Sequence, residues 1–599
     1  GAAVYVAGNI TLSGTAEIEK NAADYESALS VQYDSVRVEG GEIKTEAGSS
    51  FTVTHSGIGA AVYVAGGDVT FGGSAQITKN AVAYGAAGVR YDGIYLDGGS
   101  LTVSGSGTSE APNFTVTHGG VGAAVYVAGG SLTLNGFAEI TNDMTGVSYI
   151  EGADVSYDGV YVGGTLNASG AVFNVTHTGV ANDNQYVYDS SVTDGNGGNG
   201  ASLYLTFDIK SFAVRVESPE NTSSGVTIVS GTITNTVGGG LYVGGGNVTL
   251  GDENGNGPRI QTSGTETYNE YQAKVFVEGG WFEDDRWEEE TLSHIPFTGA
   301  DETWNYKISK TGGHAVQVEA GETETKLTVR AGSYSAAMGN GILVSGGTVI
   351  IDGGEFSGAD SYRATNGNLM PGAAASYAFK MYGGEVTVNG GTFESEGSGA
   401  FIMGTAADAV AEAKILNGTF TASGTSALSV YRYATVNLGE QGGSGSITMS
   451  GNSNAISIEN TGNISGTTVN IHYGNYSGGQ DGIWYGEGAS SIHIAGGTFA
   501  ATDRSGLYFA EVPNGKSVQL SGGVFSSERS ADHRGNDTLL GNNRYWYNGG
   551  AISAATTTNS LGSVNGVLGI NRNNIIAGNI SLYGGDGGQL SDTDTVARM

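Results

Sequence analysis

Apolar and polar residues alternate in short runs along this chain, and glycine, asparagine or serine closes almost every run. Val4-Tyr-Val6, Ile342-Leu-Val344 and Thr348-Val-Ile-Ile351 are typical. Alternation of period two, punctuated by glycine, predicts β-strands, and nowhere does the apolar pattern take the 3.6-residue period of a helix. The runs themselves recur. Gly-Ala-Ala-Val-Tyr-Val-Ala-Gly begins at Gly1, Gly59 and Gly122, and a looser copy occupies 238–246. Self-similarity at a fixed spacing is the mark of stacked repeats, each burying its apolar face against its neighbours.

The repeats divide the chain into four stretches. Residues 1–180 are three copies of one long unit, in which Tyr33-Asp34, Tyr91-Asp92 and Tyr157-Asp158 coincide, as do His55, His118 and His177. The stacked carboxylates are expected as a solvated ladder about 10 Å apart, too far for a shared proton or a single metal. The histidines are expected as a consequence of repetition. Residues 181–310 keep the rhythm but carry insertions. From 311 to 530 the unit shortens to a Gly-Gly-x-Phe signature, and 531–599 continues or caps the stack.

The signature's aromatic positions Phe282, Tyr334, Phe356, Phe393, Phe420, Phe499 and Phe525 lie 52, 22, 37, 27, 79 and 26 residues apart. The 52 is taken as two periods of 26, the 79 as three with Tyr476 among them, and the 37 as one period with an insertion. A period of 22–28 with three short strands is one coil of a parallel β-helix. The fold expected is all-β: a right-handed parallel β-helix forming a single elongated rod of roughly twenty coils. Ile342, Val344, Val349, Ile351 and Phe356 should point inward, with glycine pairs at the bends. Each long unit of the first stretch should hold two coils, or three tight ones.

Composition narrows the function. There are 104 glycines and six prolines, so turns rest on glycine. Twenty-five Lys and Arg against 59 Asp and Glu give 25 − 59 = −34. That balance argues against nucleic acid and against an anionic membrane surface, both of which need basic residues. Cysteine is absent, which removes disulfides, thiolate catalysis and cysteine-based zinc sites. No apolar run is long enough for a membrane-spanning helix. The chain opens within a repeat and shows no signal peptide, which is read as a segment of a longer exported protein.

Units such as Gly-Ala-Ala-Val-Tyr-Val-Ala-Gly-Gly, followed by alternating Thr and Leu and then Ile77-Thr-Lys-Asn80, resemble glycine-rich β-helical repeats of bacterial cell-surface proteins. They are also similar to the repeats of polymorphic outer-membrane adhesins and autotransporter passengers, in which a Gly-Gly-x-Ile tetrad alternates with Phe-x-x-Asn. Here Ile18-Glu-Lys-Asn21 and Ile77-Thr-Lys-Asn80 stand in the second tetrad's place, and the third copy reads Ile140-Thr-Asn-Asp143. The resemblance implies an exported surface protein, an adhesin or spacer.

Candidate chemistry gathers where the repeat grammar breaks. Three of the five tryptophans, Trp281, Trp287 and Trp304, lie in 281–304 beside Glu283, Asp284, Asp285 and Glu288. Aromatic faces stack on sugar rings and carboxylates accept bonds from hydroxyls, so this composition suits glycan binding. Two carboxylates at a suitable separation would also suit glycoside hydrolysis, with Asp284 and Asp285 as its candidates. Asp252, Asn254 and Asn256 open like a calcium loop, but Ser263 replaces the bidentate Glu and Pro258 follows, so an Asn-Gly turn is preferred over Ca2+. No other cofactor is implied. Asp481, Trp484, Tyr485 and Glu487 form a second cluster, and Asp481-Gly-Ile matches Asp92-Gly-Ile as a repeat position. The expected function is an adhesin or spacer with glycans or surface proteins as partners. The alternatives are a glycoside hydrolase on the same scaffold, or a filament or layer assembled through the coil ends.

Overall fold

In the structure, a computed structural model, the described residues are 1–22, 33–81, 89–180, 184–189, 202–205, 209–218, 224–263, 266–273, 303–310, 313–337, 339–358, 377–406, 409–459, 466–486, 491–509, 518–520, 522–527, 544–545, 552–554, 556–557, 575–577 and 581–583. Among them there is no helix, and strands follow one another throughout. Each repeat contributes three strands. Ile342–Val344, Thr348–Ile351 and Glu355–Gly358 pair in parallel with Phe379–Met381, Gly384–Val388 and Thr392–Ser395 of the next repeat. The first strands of successive repeats form a 17-stranded sheet, and the second and third share a sheet of 32 strands. Ser131–Asp143 and Thr165–His177 run through both positions and join those two ladders. Each long unit holds two repeats, the first of them supplying Val4–Val6, Asn9–Leu12 and Thr15–Ala22, then Val36–Val38, Glu42–Thr45 and Ser50–Gly57.

Alternation decides which side chains go in. Ile342, Val344, Val349 and Ile351 are fully buried and Phe356 is 1% exposed, as the pattern predicts. Identical register stacks like on like. The rings of Tyr334, Phe356, Phe393 and Phe420 follow one another at 4.8, 4.9 and 4.4 Å. Met449 takes the next place, then Tyr476, Phe499 and Phe525. One assigned member does not belong. The ladder neighbour of Tyr334 on the other side is Ile260, not Phe282, so the 52-residue interval is not two repeats. Phe282 itself lies outside the described residues.

A second correction concerns the aspartates. Asp34, Asp92 and Asp158 are 3%, 5% and 4% exposed, not solvated. Each carboxylate accepts a backbone N–H from the following repeat, that of Ala60 at 2.9 Å, Ala123 at 2.9 Å and Phe212 at 2.8 Å. Asp481 does the same for Ser505 at 3.2 Å. A carboxylate can be buried when it satisfies a backbone donor that would otherwise be stranded at the bend.

The histidines line the inside of the neighbouring corner. Lys20, His55, Lys79, His118, Asn142, His177, Asn235 and Thr262 occupy one ladder position. His55 Nε2 meets the Ile58 carbonyl at 2.7 Å, His118 Nε2 that of Tyr91 at 2.9 Å and His177 Nε2 that of Tyr157 at 3.1 Å. Lys79 donates to the Gly57 carbonyl and is fully buried. The column answers carbonyls that the bend leaves without a ladder partner.

Two insertions meet outside these ladders. Ser202–Leu205, Asn184–Asp189, Thr303–Lys310 and Glu266–Ala273 form a four-stranded antiparallel sheet in that order.

Candidate functional site

The middle residue of each three-residue strand faces outward, because the residues on either side, as in Val125-Tyr126-Val127, are buried. In the first stretch that outward place is held by tyrosine except at Arg37. Tyr63, Tyr95, Tyr126 and Tyr161 stack at 5.2, 5.0 and 4.3 Å. Their faces are spent on one another, so the partly exposed Tyr63, Tyr126 and Tyr161 show ring edges to solvent, while Tyr95 is buried. Burial raises the Tyr95, Tyr126 and Tyr161 hydroxyls well above the ordinary tyrosine range. They act as neutral donors and acceptors at any physiological pH.

Over Tyr126 and Tyr161 the column is roofed. The spacer before Tyr157 is longer than in the other copies: Tyr157 lies 35 residues after Gly122, whereas Tyr33 and Tyr91 lie 32 after Gly1 and Gly59. Its chain folds back on itself, with Met144, Tyr157 and Val180 in a small cluster of their own. The Ile150 N–H donates to the Tyr157 hydroxyl at 3.0 Å, and the Tyr149 ring leans on that of Tyr157 at 5.0 Å. Beneath this overhang is an open depression of about 330 Å³. Tyr126 and Tyr161 floor it, the overhang with Tyr149 and Asp154 walls it, and Arg90, Asp92, Asp158, Lys210, Arg215 and Glu217 supply its charges.

Most of those charges are held in place. Arg215 bonds Asp158 at 2.9 Å and Glu217 at 3.0 Å, and Glu217 also accepts from the Tyr161 hydroxyl at 3.2 Å. Burial opposes the Arg215 charge, but Asp158 and Glu217 outweigh it, so the guanidinium stays ionised. Asp158 is further fixed by Ser156 Oγ at 3.0 Å. Asp92 is pushed up to about 6, chiefly by burial, against the pull of the Ala123 N–H and of Arg90. The depression is therefore polar, with rigid donors and acceptors around two tyrosine hydroxyls. Among the described residues no group of three or more His, Asp or Glu could hold a metal ion.

Of the residues singled out in the sequence, Trp281, Glu283, Asp284, Asp285, Trp287 and Glu288 lie outside the described residues. Trp304 lies in Thr303–Lys310, where its backbone stands opposite Gln272. Around Asp252, one carboxylate oxygen takes the Asn254 and Asn256 N–H groups, each at 2.9 Å, and the other takes the Asn256 side-chain amide at 2.8 Å. These bonds, led by that from the Asn256 side chain, hold Asp252 below the usual carboxylate range. The loop closes on itself as a turn. Asp481 lies fully buried in Asp481–Tyr485 and pairs with Arg504 at 2.8 Å; burial lifts it to about 7 despite Arg504. Glu487 lies outside the described residues. Sequence reasoning missed the depression, whose one linear trace is the longer third spacer with Tyr149 and Ile150 in it.

No protein-family model matches this chain, and no curated protein matches it in sequence.

Proposed function

We propose that the chain is a right-handed parallel β-helix displayed at a bacterial cell surface, and that it binds glycans in the depression over Tyr126 and Tyr161. The observation that carries the reading is that depression: a roofed, polar hollow interrupting an otherwise repetitive face. Sugar recognition asks for fixed carboxylates, a guanidinium and hydroxyls around an aromatic floor, and those are its lining. Its volume, about 330 Å³, is at the low end for small-molecule sites and suits a terminal sugar of a longer chain. Three parallel ladders running from repeat to repeat, with register shifts inside Ser131–Asp143 and Thr165–His177, support the β-helix, and the acidic, cysteine-free composition and repeat resemblance support a surface rod. Binding rather than hydrolysis is favoured, because Asp158 and Glu217 are tied to Arg215 and Asp92 caps a backbone N–H.

A glycan array probed with the full chain tests this. Tyr149→Ala, which strips the rim, should weaken every positive by tenfold or more, about 1.4 kcal/mol. Unchanged binding in that variant would remove the site, and release of free sugar would make the protein an enzyme.

A further inference from the structure

We propose that the depression selects sugars bearing an anionic group, a carboxylate or a sulfate, and that the Arg90 guanidinium is the anchor. The inference rests on the glycan reading above and deepens it. Three cations border the hollow, and they differ in what they already hold. Arg215 is already paired with Asp158 and Glu217. The Lys210 ammonium lies 5.0 Å from the centre of the Tyr149 ring. Arg90 is partly exposed, with its guanidinium carbon 4.0 Å from the centre of the Tyr95 ring. Among the described residues that guanidinium makes no ion pair and no hydrogen bond.

A comparison within the chain shows what this means. Arg37 covers Tyr63 at the same 4.0 Å, and its N–H groups are taken by Asp34 at 2.9 Å and Glu39 at 2.5 Å. At Arg90 the stacking persists without the clamp. Asp34 and Asp92 each accept a backbone N–H of the following repeat, from Ala60 and Ala123, but only Asp34 also holds a guanidinium. The result is a planar fork beside an aromatic ring, in the lining of a hollow that admits solute. Such a fork matches the paired oxygens of a carboxylate or sulfate and loses little freedom on binding them.

The surrounding carboxylates set the conditions. Arg215 offsets one of the two charges of Asp158 and Glu217, and the remainder acts with Asp92 and the exposed Asp154 to repel an anion. Asp92 faces Arg90, Lys79, Tyr95 and Tyr126, and of these only the two cations counter its charge. It takes up a proton as the pH falls through about 6. Anionic sugars should therefore bind more tightly at pH 5 than at pH 7.5.

The test uses the full chain and matched probes: oligosaccharides ending in glucose or glucuronate, and in galactose or 3-sulfogalactose. The acidic member of each pair should bind at least tenfold more tightly, and the gap should widen at pH 5. Arg90→Gln should close the gap by weakening the acidic probes far more than their neutral partners, and Arg90→Lys should keep part of it. Equal binding within the pairs, a gap that shrinks at pH 5, or a gap that survives Arg90→Gln would overturn the anchor and leave glycan binding standing. Failure of wild-type protein to bind any glycan would overturn the glycan reading, and the anchor with it.

Discussion

Inside a repeat protein a polar residue is multiplied, so its chemistry is multiplied too. His55 is buried, with Nε2 on the Ile58 carbonyl and Nδ1 on Ser35 Oγ at 2.7 Å, and it is depressed to about 3 by burial and by the neighbouring Lys79. A histidine titrating near 6.5 in the unfolded chain and near 3 when folded binds more protons unfolded across that window. Stability is then full above about pH 6.5 and is lost as the pH falls, by roughly 2 kcal/mol at pH 5 from this residue alone. Asp92, at about 6, and Asp481, at about 7, act in the opposite sense, since burial has raised them and the folded chain binds the extra protons. His55→Gln keeps a donor for Ile58 and cannot titrate. Its melting temperature should fall less between pH 7 and pH 5 than that of wild type, and an equal fall would show that His55 is not neutral inside. These polar columns were illegible in the sequence for a physical reason. Polarity reads as exposure, and only the path of the chain shows that Asp34 or His118 stands against a backbone group with no other partner.

An element in this fold is a short strand and the bend that follows, and two substitutions test its geometry. Gly99 has φ near +71°, and a Cβ there would collide with the carbonyl oxygen of Gly67, its counterpart one repeat earlier. Gly48 has φ near +80° but open space around it. Gly48→Ala should cost only the left-handed backbone penalty, about 1–2 kcal/mol. Gly99→Ala should cost clearly more, because the clash is with backbone that cannot rotate away; equal losses in a denaturant titration would refute the stacked bend. The second concerns Met449, the one non-aromatic place between Phe420 and Tyr476. Met449→Phe should cost less than about 1.5 kcal/mol, since the column already accommodates rings at that spacing. A loss as large as that of Phe393→Ala, about 3–5 kcal/mol, would mean the register is wrong. At this scale the sequence was most readable: alternation located the inward Ile342, Val344 and Phe356. It misled over the interval before Tyr334, whose ladder neighbour is Ile260, and glycine-rich composition cannot tell a rung from its imitation. The roofed tyrosines were beyond reach because Tyr126 and Tyr149 meet Arg215, which lies two repeats further along the chain.

Taken whole, the molecule is a stack whose ladders are short-range and whose charge is not. Each repeat touches its neighbours, and seventeen first strands in one sheet at about 4.8 Å give a body on the order of 80 Å long. Along it are spread 59 acidic and 25 basic side chains. Two effects of opposite sign follow for salt. Ion pairs such as Arg215 with Asp158 are weakened by it, whereas repulsion among the unpaired carboxylates is relieved. The buried pairs are the less screened, being out of reach of mobile ions. The exposed pair of Lys414 and Glu440, 3.0 Å apart with 44% and 54% of each side chain exposed, contributes well under about 1 kcal/mol. Repulsion from a net charge of −34 therefore dominates. Raising sodium chloride from about 20 to 300 mM, which shortens the screening length from roughly 20 to 6 Å, should raise the melting temperature. Millimolar magnesium should do so at lower ionic strength, by neutralising neighbouring carboxylates along the stack. A melting temperature that falls with sodium chloride would mean that paired charges hold the stack together more than its unpaired ones push it apart.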